Sequence, residues 1–173
     1  MFKHLGLVLS LMFLLYFAGC STDNRDTAGN PGSNRTGNQS EATFAVYDVF
    51  GKMHDYDEFK GKGPLVINFW GTWCPPCRRE LPDLKKIYAE YRPQGLEMIG
   101  MAVNDSPGKV RQFAAENGVD WVMLMANEDA IQSFQLGAGI PVTIFIDRQG
   151  REVSRLVGAR GYDDFKKEIA KII

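Results

Sequence analysis

The run Leu65-Val66-Ile67-Asn68-Phe69-Trp70 leads through Gly71-Thr72-Trp73 into Cys74-Pro75-Pro76-Cys77, and a stretch of helical periodicity follows at once. A short, nearly continuous apolar run of this kind reads as a strand buried on both faces of a sheet. Beyond the cysteines, Leu81, Leu84, Ile87, Tyr88 and Tyr91 recur at three- and four-residue spacing, with Lys85, Lys86, Glu90 and Arg92 between them. That pattern predicts an amphipathic helix, stopped by Pro93 and Gly95. Pro82 lies inside it, where it lacks a backbone donor and crowds the preceding turn, so a kink is expected near the first turns. The two cysteines therefore fall where a buried strand gives way to a helix, a junction suited to thiol chemistry.

The remaining patterns are arranged around that junction. Phe44 to Val49 alternates weakly and runs into Gly51-Lys52, which predicts a strand, a turn and a second short strand at Met53 to Tyr56, an N-terminal β-hairpin. Asp57-Glu58-Phe59 suits one helical turn. Leu96 to Val103 reads as a strand, Ser106-Pro107 as a cap and first position of a helix ending at Asn117-Gly118, Trp121 to Met125 as a third apolar run, and Glu128 to Phe134 as a short helix. Pro141 to Ile146 and Glu152 to Val157 flank the turn composition Asp147-Arg148-Gln149-Gly150, as antiparallel partners do. A closing helix places Tyr162, Phe165 and Ile169 on one face, with Asp163 and Asp164 at its positive end and Lys166, Lys167 and Lys171 toward its negative end. Strands alternating with helices build an α/β fold with a sheet covered by helices on both faces.

Residues 42–173 are read as one domain, because 173 residues suffice for a single packed unit and an appendage. A net charge of −1 with 24% charged residues supplies no field that would select nucleic acid, and nucleic-acid binding is not expected. The first residues differ in kind. Lys3 and His4 precede an apolar run from Leu5 to Ala18, the layout of an export signal at 1–19, and the run is short for a membrane span, which needs roughly 20 residues. Residues 21–41 are polar with one proline, Pro31, and otherwise lack any apolar side chain larger than Ala28, so they cannot offset their ordering entropy and read as a flexible tether. A poorly ordered terminus without purpose is the plain alternative.

Cysteine arithmetic gives three, with Cys20 closing the leader and Cys74 and Cys77 forming the C-x-x-C pair. At the start of a helix Cys74 faces unpaired N–H groups and the positive end of the dipole, which favour thiolate, so it is the expected nucleophile. Cys77, three residues on, would resolve a mixed disulfide by closing on Cys74. Pro75 and Pro76 offer no N–H and no charge to stabilise the thiolate, which argues for a reducing couple. Half of a zinc site has the same spacing, but it needs four ligands and outside the leader only His54 remains as a strong donor. Copper delivery lacks an accessory Cys or Met cluster for the same reason. No metal and no cofactor beyond a redox-active Cys74–Cys77 disulfide is expected. Trp70 and Trp73 are expected to pack around the site and to offer apolar contact to a partner.

Phe17-Ala18-Gly19-Cys20 resembles the lipobox of bacterial lipoproteins, whose Cys is lipidated, although Leu is commonest where Phe17 stands. An uncleaved anchor or an ordinary secreted product are the alternatives. Asn68 to Cys77, Glu80-Leu81-Pro82 and Gly139-Ile140-Pro141-Val142-Thr143 together resemble the TlpA/ResA family of membrane-anchored, extracytoplasmic thioredoxin-like proteins over residues 42–173. The resemblance implies a thioredoxin-like fold with a central mixed β-sheet and a family insertion within Leu96 to Trp121. It implies a cis-proline at Pro141 facing the cysteine pair, with the backbone of Ile140 free to pair with a substrate strand. Trp73, Pro76, Ile140 and Pro141 then form the expected substrate contact. Glu80 resembles the acid that some relatives use to move protons, and its plain alternative is an exposed helix carboxylate that complements the dipole. Asn68 stands where cytoplasmic thioredoxins carry a buried Asp, and an amide cannot take up a proton, so Glu80 or water must serve.

The function these features imply is an extracytoplasmic, lipid-anchored thiol-disulfide oxidoreductase, acting as a monomer and reducing protein disulfides such as apocytochrome c during cytochrome c maturation. No fourth cysteine exists for an internal relay, so electrons are expected from a membrane donor of the DsbD/CcdA type. A disulfide oxidase or isomerase of exported proteins is the alternative within enzymes. A non-enzymatic adaptor or metal chaperone is the alternative outside them.

Overall fold

The computed structural model describes residues 42–173. The expected leader at 1–19, Cys20 and the tether to residue 41 lie outside the described residues. Element order follows the sequence pattern closely. Strands β1 (Ala45–Tyr47) and β2 (Met53–Asp55) are followed by β3 (Leu65–Trp70), α1 (Pro75–Tyr91), β4 (Glu97–Ala102), α2 (Pro107–Glu116) and β5 (Val122–Met125). Then come α3 (Glu128–Ser133), β6 (Val142–Ile146), β7 (Glu152–Val157) and α4 (Tyr162–Ile169).

The first two strands pair antiparallel as the expected hairpin, with Val46 opposite His54. The second strand stops one residue earlier than the pattern suggests, because the Asp55 side chain accepts the Glu58 N–H and starts a 3-10 turn at Tyr56–Glu58. The other five strands form one mixed sheet in the order β5-β4-β3-β6-β7, with β3, β4 and β5 parallel and β6 and β7 antiparallel to their neighbours. The central strand is β3, and all six of its residues are buried.

Alternation along the strands divides the core in two. Val66, Met98, Ala102, Met123 and Phe145 face α1, α2 and α4, whose Leu84, Ile87, Val110, Phe165 and Ile169 complete that layer. Leu65, Ile67, Phe69, Ile99, Met101, Val142 and Ile144 face α3 and the hairpin. There Phe134 meets Phe69 at 5.5 Å, Tyr56 at 5.8 Å and Phe44 at 6.3 Å between ring centroids. Burying each such side chain is worth about 1.5–3 kcal/mol, so both faces of β3 are held strongly.

Helix α1 runs through Pro82 to Tyr91, a 3-10 turn follows at Arg92–Gln94, and Gly95 takes the left-handed conformation (φ 90°) that closes it. At α2, Ser106 occupies the cap position, but its hydroxyl makes no capping bond. Its backbone N–H donates to Asp105 Oδ1 at 2.9 Å. Asn127 does cap α3, accepting the Ala130 N–H at 2.9 Å. At the site the end of β3, the start of α1 and the start of β6 meet beside one another.

Candidate active site

Cys74 is the N-cap of α1, with extended backbone (φ −95°, ψ 104°), and its Sγ accepts the Cys77 N–H at 3.3 Å. Pro75 and Pro76 fill the first helical positions, where a missing N–H costs nothing because those donors lack intrahelical partners. The pair is joined as a disulfide with Cα atoms 5.3 Å apart, and both cysteines are buried. Opposite them the Ile140–Pro141 bond is cis, and Cys74 Sγ lies 3.8 Å from the Ile140 carbonyl oxygen. The chain thus brings Cys74, Cys77, Ile140 and Pro141 together. Pro75 is exposed, Pro76 and Ile140 are half-buried and Pro141 is buried.

Glu80 is not the exposed helix carboxylate of the plain reading: it is 2% exposed. Its Oε1 accepts from Asn68 Nδ2 at 3.0 Å and its Oε2 accepts the backbone N–H of Arg160 at 3.2 Å. Asn68 Nδ2 also donates to Thr143 Oγ1 at 2.9 Å, across the β3–β6 register in which those two residues face each other. Burial raises the carboxyl group to about 7, outweighing the Arg160 N–H, the Asn68 amide and the Arg160 charge, which all favour the anion. On α1 the Glu80 position is three residues from Cys77, so the two share a helix face. A carboxyl group that is half ionised near neutrality can take or give a proton there.

The tryptophans separate. Trp70 packs in the core against Phe113, with ring centroids 5.2 Å apart, as expected. Trp73 does not pack inside: it is 55% exposed, its indole N–H donating to the Val103 carbonyl at 3.1 Å. The ring finds its place over the loop and not in the core. His54, the one ring nitrogen donor considered for zinc, is engaged in the hairpin with Glu58 at 2.9 Å and Asp48 at 3.4 Å. Among the described residues no group of three His, Cys, Asp or Glu is arranged to hold a metal ion.

Thr143, the Arg160 N–H, Val103 and Asp105 complete the surroundings; Thr143 lies in the motif around Pro141, and local sequence pattern points to none of the other three as site residues. Asp105 Oδ2 accepts the Thr72 N–H at 2.7 Å, tying the loop before Cys74 to the β4–α2 connection. Those three come from distant parts of the chain, so periodicity and motif spacing carry no signal for them.

A family model described as Redoxin matches residues 38–170. The chain belongs to the Redoxin family. Within it the protein is ResA-like: it is 30% identical over 129 residues to the thiol-disulfide oxidoreductase ResA of Geobacillus thermodenitrificans, covering 75% of this chain and 74% of that one. To the ResA of Halalkalibacterium halodurans it is 34% identical over 120 residues, 69% of this chain and 66% of the relative. Among solved structures, a thiol:disulfide interchange protein of the thioredoxin family from Chlorobium tepidum matches with a TM-score of 0.68 at 30% identity, over 76% of this chain and 93% of that one. The mixed sheet with its flanking helices is accordingly a thioredoxin-like fold. A Redoxin domain with a redox pair at Cys74 and Cys77 makes this ResA-like chain a thiol-disulfide oxidoreductase.

Proposed function

We propose that this oxidoreductase works as a reductant of protein disulfides, with apocytochrome c or a related assembly substrate as its target. The observation that carries the reading is the polar pair Asn68–Glu80 buried beneath a Cys-Pro-Pro-Cys turn, with no charged side chain between the cysteines. In the reduced state Cys74, favoured as thiolate by the Cys77 N–H and the helix terminus, attacks one sulfur of the partner disulfide and expels the other as a thiolate. Glu80 then accepts the Cys77 proton, and the Cys77 thiolate attacks Cys74 Sγ, releasing the second partner thiolate. Two electrons pass to the partner, and the chain is left as the Cys74–Cys77 disulfide. The backbone of Ile140, beside the sulfur, is where an extended partner segment would pair.

Redox equilibration against glutathione and dithiothreitol tests the direction. The couple should be far more reducing than the roughly −120 mV of strong dithiol oxidants, and a potential near that value overturns the reductant reading in favour of an oxidase. Cys74→Ser should abolish insulin reduction, whereas Cys77→Ser should retain the captured partner as a mixed disulfide whose identification names the substrate. The setting we propose is extracytoplasmic, with Cys20 lipidated at the membrane and electrons drawn from a membrane protein of the DsbD/CcdA type. This rests on the leader, the Phe17-Ala18-Gly19-Cys20 match and the want of a fourth cysteine. Detergent phase partitioning of Cys20→Ala should move the mature protein to the aqueous phase.

A further inference from the structure

Trp73 is exposed beside the sulfur pair, yet its side chain is fixed. Its indole N–H is bound to the Val103 carbonyl at 3.1 Å, and the ring folds back so closely over Gly71 that a Cβ there would stand 2.7 Å from Nε1. The loop beneath the ring is held as well, since Asp105 Oδ2 takes the Thr72 N–H at 2.7 Å while Oδ1 takes the Ser106 N–H at 2.9 Å. Between Val103 and Asp105, Asn104 adopts the left-handed conformation (φ 49°), and the residues on either side of it grip the same three-residue loop. The Cys74 N–H donates to the Gly71 carbonyl at 3.1 Å, a bond within the turn in which Asp105 takes no part. An exposed aromatic ring that is already ordered lowers the entropy cost of docking, which is why such rings dominate contact surfaces.

We propose that Asp105 is a positioning residue: with the Val103 carbonyl it latches Gly71-Thr72-Trp73, so that Trp73 stands as a preset wall for the polypeptide flanking the attacked disulfide. The proposal rests on the protein-disulfide reductase reading above. It separates two kinds of substrate. A protein disulfide meets both the sulfur and the wall, whereas a small disulfide needs only the sulfur.

The test uses the full chain, reduced with dithiothreitol, against insulin and against oxidised glutathione. Asp105→Ala should raise KM for insulin by about 2- to 10-fold, the factor corresponding to ordering one side chain at an interface, with kcat nearly unchanged. The rate with oxidised glutathione should stay within about twofold, because its small contact area does not use the wall. Asp105→Asn keeps an oxygen acceptor for the Thr72 N–H, at the cost of turning its NH2 toward the Ser106 N–H, and should bring the insulin KM closer to wild type than Asp105→Ala does. In the double variant, Asp105→Ala should add nothing to Trp73→Ala, since both act through one ring. Gly71→Ala leaves Asp105 intact but pushes the indole aside, and it should reproduce the KM rise. It decides the matter together with Asp105→Asn should Asp105→Ala not fold. An unchanged insulin KM in Asp105→Ala or Gly71→Ala, equal losses on both substrates, or independent multiplying effects in the double variant would each overturn the proposal. A wild-type chain that reduces glutathione but not insulin overturns the reductase reading itself, and the positioning role with it.

Discussion

Glu80 and Asp147 both carry carboxylates with little exposure to solvent, and the chain shifts their proton affinities in opposite directions. At Asp147 burial also pushes upward, but the Arg151 N–H, the Arg151 guanidinium and the Gln149 N–H overcome it and hold the carboxyl below its usual range. Its hydrogen bonds lie within one turn, residues 147–151, at the surface. Glu80 sits under the helix, where an amide and one backbone N–H are too few to compensate desolvation. The lesson is that burial alone does not decide a carboxylate's charge. Depth of burial and the donors that oppose it decide it together: Glu80 lies much deeper than Asp147 and has two donors, whereas the shallower Asp147 has three hydrogen bonds and the Arg151 guanidinium in contact.

The comparison can be broken most sharply by pH. Glu80 binds a proton more tightly in the folded chain (about 7) than its ordinary value of 4.5 allows. The folded state therefore carries more protons between those values, and stability is lost as pH rises through that window, by an amount on the order of 3 kcal/mol. Urea unfolding of the oxidised protein across this range should reveal the slope, and Glu80→Gln should flatten it. A wild-type curve already flat there would mean that Glu80 is ionised throughout.

Thr143→Val sharpens the same side with a smaller effect, because it leaves one Asn68 N–H buried without its acceptor. The expected cost is about 1–2 kcal/mol in the urea midpoint, and no loss would mean the amide finds another partner. Smallest is Asp147→Asn, with the opposite pH sign. A depressed carboxyl contributes stability that is present above its usual value and lost as pH falls, so the variant should lose about 1 kcal/mol or less near neutrality and match the wild type in acid. Equal stability of Asp147→Asn and the wild type both at pH 7 and in acid would place no value on the Arg151 contact.

Much of this was legible in the chain. The Leu65–Trp70 run, the periodicity after Cys77 and the Gly51 and Asp147–Gly150 turns each encode their elements locally, since the residues that specify a strand or helix face lie within a few positions of one another. Several element ends differ from the pattern by one or two residues, and at β2 the cause is a side chain, Asp55, which starts the 3-10 turn. Glu80 was visible as a candidate but not its burial, and Trp73 was expected beside the site without any sign of how far its ring stands exposed.

The sequence by itself determined that a dithiol would stand at the end of a buried strand and the start of a helix, because patterning and capping are short-range. Tertiary structure alone decided how the dithiol is served. Asn68 reaches Thr143 because β3 and β6 pair in one register, Glu80 meets the Arg160 N–H from the β7–α4 loop, and Asp105 meets Thr72 from beyond β4. Hydration, proton affinity and the fixing of an exposed ring depend on which groups are brought near from far along the chain, and no local spacing records that.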